Sequence, residues 1–361
     1  MPFITLILVI SVLVFVHEFG HFIIAKRTGV RVDEFSIGFP PRIWSFKKGE
    51  TTYSINLIPF GGYVKIFGEN PDEASISGPD SKRSFVNKNR GVQALILIAG
   101  VAMNIIFGWV LLSASYMMGV TRISENSSLA TAAIVTEVFP NSPAEKAGLA
   151  EGDLIIGIVD PGGVNYFKLS SEAIQKIISS SKGKSLAIAY ERVGNTATTT
   201  LRAEEGLVKD KLAIGIAMAD IENVRFGFFP ALLEGAKSTW FLIEGTAVGM
   251  VAFFGQVFSF NADLSQVSGP VGIAGFLNQA RQFGISTLFS FVALISINLA
   301  VINLLPFPAL DGGRLLFVAI ESIIRRPINP KFANALNLLG FALLLLLMVV
   351  ITFSDIGKLV P

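Results

Sequence analysis

Residues 17–21 read His17-Glu18-Phe19-Gly20-His21, two imidazoles four positions apart with a carboxylate beside the first. On an α-helix, positions i and i+4 lie about 40° apart around the axis, so both rings project from one face toward a common point. That spacing suits a shared zinc ion. The neighbouring Glu18 is placed to take a proton from water whose pKa the zinc lowers to about 7. These are the only histidines in the chain, and there is no cysteine. Paired histidines also cap or pack in soluble helices. Here, however, residues 2–24 are otherwise apolar, and ionisable groups at membrane depth are costly without a functional reason.

A catalytic zinc takes three protein ligands and keeps one position open. With no further His and no Cys, the third must be Asp or Glu. Glu321 falls on an amphipathic stretch, and Glu244 opens an ambiguous one. Asp311 closes a long uncharged run. Pro306 and Pro308 end the preceding helix, and Gly312-Gly313 let the backbone turn, so Asp311 can swing inward. The plainer alternative is that Asp311 caps a helix over 314–324.

The elements that must carry these residues follow from composition. Hydrophobic residues make up 52% of the 361 and charged ones only 16%, well below the roughly 25% of soluble domains. Disulfide scaffolds, thiol catalysis, cysteine zinc sites and a machine drawing on several histidines are excluded. A net charge of +2 leaves no footprint for nucleic acid. Uncharged runs over 91–120, 282–310 and 332–354, with the segment 2–24, are each long enough to span a bilayer. The first lacks a basic start, and Lys26-Arg27 follow it, so it reads as a retained span and not a signal peptide. Residues 26–90 carry 11 Lys/Arg and residues 311–331 carry four, against none before the first span. Both basic loops are therefore expected in the cytoplasm and both termini outside. Residues 245–262 are uncharged, but short and Gly-rich. A fifth span there would carry Asp311 to the far side of the membrane from His21, so four spans are expected, with 226–284 as outer surface helices.

Between the second and third spans the pattern turns to short strands, over 133–139, 154–159, 186–192 and 198–202, with a helix over 169–180 capped by Ser170. Ser142-Pro143-Ala144-Glu145-Lys146-Ala147-Gly148-Leu149 followed by Glu151-Gly152-Asp153 resembles the SPAxxAGLxxGD signature of bacterial PDZ domains, and residues 211–218 resemble their closing strand. PDZ domains bind an extended peptide or C-terminus at a sheet edge. In the first basic loop, 42–46, 51–58 and 63–67 read as three short strands. A protease must hold its substrate extended, and an exposed edge at Gly62, Tyr63 and Val64 could do so through main-chain hydrogen bonds.

HEFGH in the first span, NLLPFPALDGG in the third and one PDZ-like domain between spans together resemble the site-2 protease family, in its bacterial regulator-of-sigma-E-type branch. The resemblance covers nearly the whole chain. It implies a polytopic α-helical membrane protein of four transmembrane helices, with a re-entrant or cytoplasmic β-hairpin loop and an inserted extracytoplasmic PDZ domain. The expected divisions are 1–120, 121–225, 226–284 and 285–361. It implies one zinc on His17, His21 and Asp311, with Glu18 catalytic and Asn303, Pro306 and Pro308 contacting unwound substrate. The implied activity is cleavage of a transmembrane segment of another protein, such as an anti-sigma factor or signal-peptide remnant, after its outer domain has been trimmed. The implied place is a bacterial inner membrane. A non-enzymatic PDZ-bearing scaffold would need neither HExxH nor LDGG, and a membrane zinc protease of loop or soluble substrates is the remaining alternative. Ser268-Gly269-Pro270-Val271-Gly272-Ile273 also resembles a family segment, without a chemical role.

Overall fold

The computed structural model describes residues 2–70, 73–124, 132–192, 194–208, 211–259 and 267–359. In chain order the first elements are α1 (Pro2–Arg27), β1 (Val32–Lys48), β2 (Thr51–Ile66), the short α2 (Glu73–Ser77) and α3 (Arg90–Met118). Next come β3 (Val120–Ile123), β4 (Ala132–Val138), α4 (Pro143–Lys146), β5 (Leu154–Val159), β6 (Asn165–Phe167) and α5 (Ser171–Ser180). They are followed by β7 (Ser185–Arg192), β8 (Asn195–Arg202), β9 (Glu204–Val208), β10 (Lys211–Ala213) and β11 (Ile216–Val224). The chain closes with α6 (Phe228–Phe258), α7 (Pro270–Gln282), α8 (Ile285–Asn303), α9 (Asp311–Ile324) and α10 (Pro330–Leu359). Two compact units result. One holds Met1–Ala114, Phe229–Arg281 and Thr287–Pro361, and the other Ser115–Phe228 with Gln282–Ser286.

In the first unit, the mostly apolar sequence of α1 and α3 favours helices whose every backbone group is paired internally, as a bilayer requires. β1 and β2 are longer than the three short strands expected from the sequence. Ser36 of β1 pairs with Tyr63 on one side and Ser54 on the other, so β2 flanks β1 along both edges. The second half of β2 lies along α1. There the Ser11 hydroxyl donates to the Pro59 carbonyl, and seven residues on, the Val64 N–H donates to Glu18. Ile37, Trp44, Phe46, Ile55 and Leu57 of this sheet remain exposed.

Among the described residues, five helices are long and apolar enough to cross a membrane: α1, α3, α6, α8 and α10. Four were expected. The difference is α6, which runs unbroken for 31 residues where the sequence reading laid out surface helices. It begins well before residue 245, and its early charges include a Glu234–Lys237 pair one turn apart, 2.7 Å between charged atoms. Leu232 O accepts from Trp109 Nε1 at 2.9 Å, Leu242 and Ile243 pack on Leu112, Ala293 and Ile297, and Thr246 donates to Asn298 at 2.6 Å. α7 is a separate half-length helix whose Ala274 and Leu277 bury against Leu6, Val9 and Leu13 of α1. The Ser268–Ile273 segment forms its start, where the Asp355 carboxylate accepts the Gly272 N–H at 2.8 Å. Residues 260–266 of the expected surface region lie outside the described residues.

The second unit is built on a seven-stranded sheet, ordered β3-β11-β4-β5-β7-β8 with β6 beside β5. β5 lies where the sequence pattern puts it, and α5 starts at the Ser170 cap, whose hydroxyl accepts from the Ala173 N–H. Ile155, Ile158, Ile174, Leu186 and Ile188 form its core, each at most 1% exposed. The strand expected over 211–218 divides into β10 and β11 around Gly215, whose φ of +81° breaks the extended run.

Candidate metal centre

α1 presents His17 and His21 on one face, both buried. The third side chain arrives by a turn. α8 stops at Asn303, and the Leu304–Leu310 segment, with Pro306 and Pro308 barred from continuing a helix, folds back before α9. Ala309 takes the left-handed conformation (φ +75°), its N–H received by Asn337 Oδ1 at 3.3 Å. α9 then starts on top of the turn. A Cβ on Gly312 would lie 2.1 Å from Leu305 O, and one on Gly313 2.2 Å from Phe307 O. Only a glycine pair lets the helix begin so close, and that closeness brings Asp311 inward. Leu310, not Asp311, holds the cap position of α9, which leaves the carboxylate free for the histidines.

Asp311 Oδ2 lies 2.9 Å from His17 Nε2 and 3.2 Å from His21 Nε2, and the two Nε2 atoms are 3.2 Å apart. Two imidazole nitrogens and a carboxylate oxygen converging on one point form a cluster into which a cation would fit. His17, His21 and Asp311 could hold a metal ion, and a nitrogen, nitrogen and oxygen donor set with one side open fits zinc. Glu18 neighbours the cluster, with Oε2 3.0 Å from the Val64 N–H. That amide points away from β1, so this edge of β2 faces the centre.

A cavity of about 620 Å³ opens here, lined by Glu18, His21, Asp311, Tyr63 and Val64 together with Arg314, Asn334 and Phe341. Of the residues expected at the site, the structure brings together His17, Glu18, His21, Asp311, Tyr63 and Val64. Gly62 continues the same strand edge. Asn303 ends α8, Pro306 and Pro308 lie in the turn before Asp311, and none of the three lines this cavity. Pro308 instead backs onto α10, where a Cβ on Gly340 would lie 2.5 Å from its carbonyl oxygen.

The sequence reading missed three contributors. Arg314, one turn after Asp311, lines the cavity and pairs with Glu69. Asn104 of α3 lies 3.3 Å from His17 Nδ1, and the Ile96 carbonyl accepts from His21 Nδ1 at 2.7 Å. Asn104 had a signal: an amide in the middle of an uncharged span is a polar group at membrane depth. Gly100, between the two, leaves the space the rings occupy, since a Cβ there would lie 2.4 Å from His21 Nε2.

Comparison with known proteins agrees with this geometry. The chain matches the model of peptidase family M50 over residues 5–347. It is 32% identical to zinc metalloprotease RasP of Shouchella clausii and 31% identical to zinc metalloprotease RasP of Oceanobacillus iheyensis, covering 98% of this chain and of each relative. A Clostridium perfringens protein is 34% identical over 97% of both chains. An HExxH helix meeting an LDGG aspartate inside apolar helices, and a family match across nearly the whole length, lead to one conclusion: this chain belongs to peptidase family M50, the site-2 proteases, zinc metalloproteases of the membrane.

Proposed function

We propose that this chain is an intramembrane endopeptidase that cuts a transmembrane segment of another membrane protein near its cytoplasmic end. The observation that carries this reading is the meeting of His17, His21 and Asp311 beside Glu18, in helices apolar enough to lie in a bilayer. His17 and His21 through Nε2, and Asp311 through Oδ2, would hold the zinc. When bound, zinc supplies Lewis acidity for the scissile carbonyl and for attacking water. Glu18 takes the proton from that water and passes it to the leaving amine.

The edge of β2 at Gly62, Tyr63 and Val64 receives the substrate as an added strand, which makes its carbonyls available only once the helix has unwound. Asn303 at the end of α8, with Pro306 and Pro308 in the turn that follows, sets the depth of Asp311. The β domain, within 121–225, acts as a PDZ-type reader of a peptide end or as a size filter that admits only trimmed substrates. The host is a bacterial inner membrane, with both termini and the β domain outside. α1, α3, α8 and α10 give the crossing parity. In this reading Asp311 lies on the side of His21, 3.2 Å from it.

The test compares the membrane proteomes of cells carrying wild-type protein and Glu18→Gln. The amide cannot take the proton, so the variant keeps zinc and accumulates uncut membrane substrates. Cleavage within a few-fold of wild type would remove Glu18 from the reaction.

A further inference from the structure

The Nε2 atoms of both histidines point at Asp311, so their Nδ1 atoms point outward and must be satisfied by the protein. Both find α3. His21 Nδ1 meets the Ile96 carbonyl at 2.7 Å, an acceptor only, which places the proton on Nδ1 and leaves Nε2 with its lone pair. His17 Nδ1 meets the Asn104 amide at 3.3 Å. Ile96, Gly100 and Asn104 follow one another at four-residue spacing and share one face of the helix. The bare Gly100 lies between them, where the rings rest.

Asn104 is fully buried, and its backbone carbonyl accepts from Ser296 Oγ at 2.8 Å, which ties it to α8. As oriented, its Nδ2 faces His17 and its Oδ1 is buried without a hydrogen-bond partner. The nitrogen and oxygen of an amide are alike in shape, so the network around them decides their orientation. A histidine bound to metal through Nε2 carries its remaining proton on Nδ1 and needs an acceptor there.

We propose that Asn104 is a positioning residue for the metal centre, presenting its side-chain oxygen to the Nδ1–H of His17. That bond fixes the ring's tautomer and angle, as the Ile96 carbonyl does for His21. α3 contributes no ligand, yet it sets the state in which both histidines meet the ion.

The inference rests on His17, His21 and Asp311 holding zinc, and its test reads metal binding in the full-length detergent-solubilised protein. Zinc affinity is measured by competition with a chelator, and the ligand field by the visible spectrum of the cobalt-substituted protein. Asn104→Leu keeps a branched side chain, at some added bulk, and removes the acceptor, and Asn104→Ala removes it without added bulk. Both are expected to weaken zinc binding 10- to 100-fold and to shift the cobalt bands. Asn104→Asp restores an acceptor and is expected to bind zinc at least as tightly as wild type. Wild-type affinity and spectrum in the Leu and Ala variants would overturn the proposal. So would an Asp variant as weak as they are, since the residue would then serve packing alone. An Asp311→Ala chain that kept all its zinc would instead overturn the site reading itself.

Discussion

Replacing Gly100 with alanine adds one methyl group to α3 at the place where the two histidine rings lie. Its Cβ would fall 2.4 Å from His21 Nε2, 2.6 Å from His21 Cε1 and 2.8 Å from His17 Cε1. Comfortable contact for a carbon is about 3.5–4.0 Å, so the His21 ring must retreat by roughly 1 Å. It has little freedom to do so, because Nδ1 is held by the Ile96 carbonyl and Nε2 faces Asp311. A site of this kind tolerates about 0.5 Å, and a misplacement of about 1 Å costs on the order of 100-fold in rate, or about 2.7 kcal/mol of barrier. The fold should suffer less. Overpacking costs about 1–3 kcal/mol, and exchanging Gly for Ala within a helix returns about 1. The expected result is a folded Gly100→Ala protein with reduced zinc per chain and about 100-fold lower kcat/KM on a transmembrane substrate in detergent. Gly249→Ala in α6 has open space at its Cβ and serves as the control, with no change expected. Full zinc and activity within a few-fold of wild type in Gly100→Ala would refute the claim that the rings rest against α3.

The turn between β1 and β2 carries a pH dependence. Hydrogen bonding from Lys26, with Arg83 adding to it against the opposing effect of burial, holds the Glu50 carboxyl below the ordinary glutamate range. A lowered folded-state pKa stabilises above the unfolded value of about 4.3 and is lost as pH falls through the folded one. Protection factors for amide exchange in Thr51–Asn56, corrected for the intrinsic rate at each pH, should therefore be flat down to about pH 5 and fall below about pH 4, whereas Glu50→Gln should abolish that fall. For α6, the chain's lack of cysteine makes single-cysteine labelling direct. Val251→Cys, at a position 74% exposed in the protein, should resist a membrane-impermeant maleimide in intact membranes and react after detergent is added. Ready labelling from the outer side would return α6 to the membrane surface.

What the sequence made legible was whatever a single local pattern encodes. HExxH carries its own geometry. The proline and glycine punctuation around Asp311 announces a turn that the structure builds with Gly312 and Gly313 against backbone carbonyls. Ser170 and the Leu154–Val159 run identify their elements because capping and alternation are short-range effects. The rest depended on partners remote in sequence. β1 begins at Val32, ahead of the strand expected over 42–46, and its Glu34 carboxylate is taken up by Ser54 and Arg42. Glu244 cut short the uncharged run of α6, whose packing on α8 outweighs one exposed acid. Asn104 is one polar residue in an apolar helix, and its meaning appears only with His17 beside it.

His17 and Asp311 lie 294 positions apart, so the two halves of the metal centre are made at different times. At about 5–20 residues per second, roughly 15 to 60 s of synthesis separate them. Throughout that interval α1 stands in the bilayer with two histidines and a glutamate but without the Asp311 carboxylate that completes the cluster. The β-rich segment Ser115–Phe228 is already made before Asp311 emerges. A membrane protease is thus assembled among its own nascent helices, and its cluster gains Asp311 only after most of those helices have formed. Chain order itself thus delays completion of the cluster.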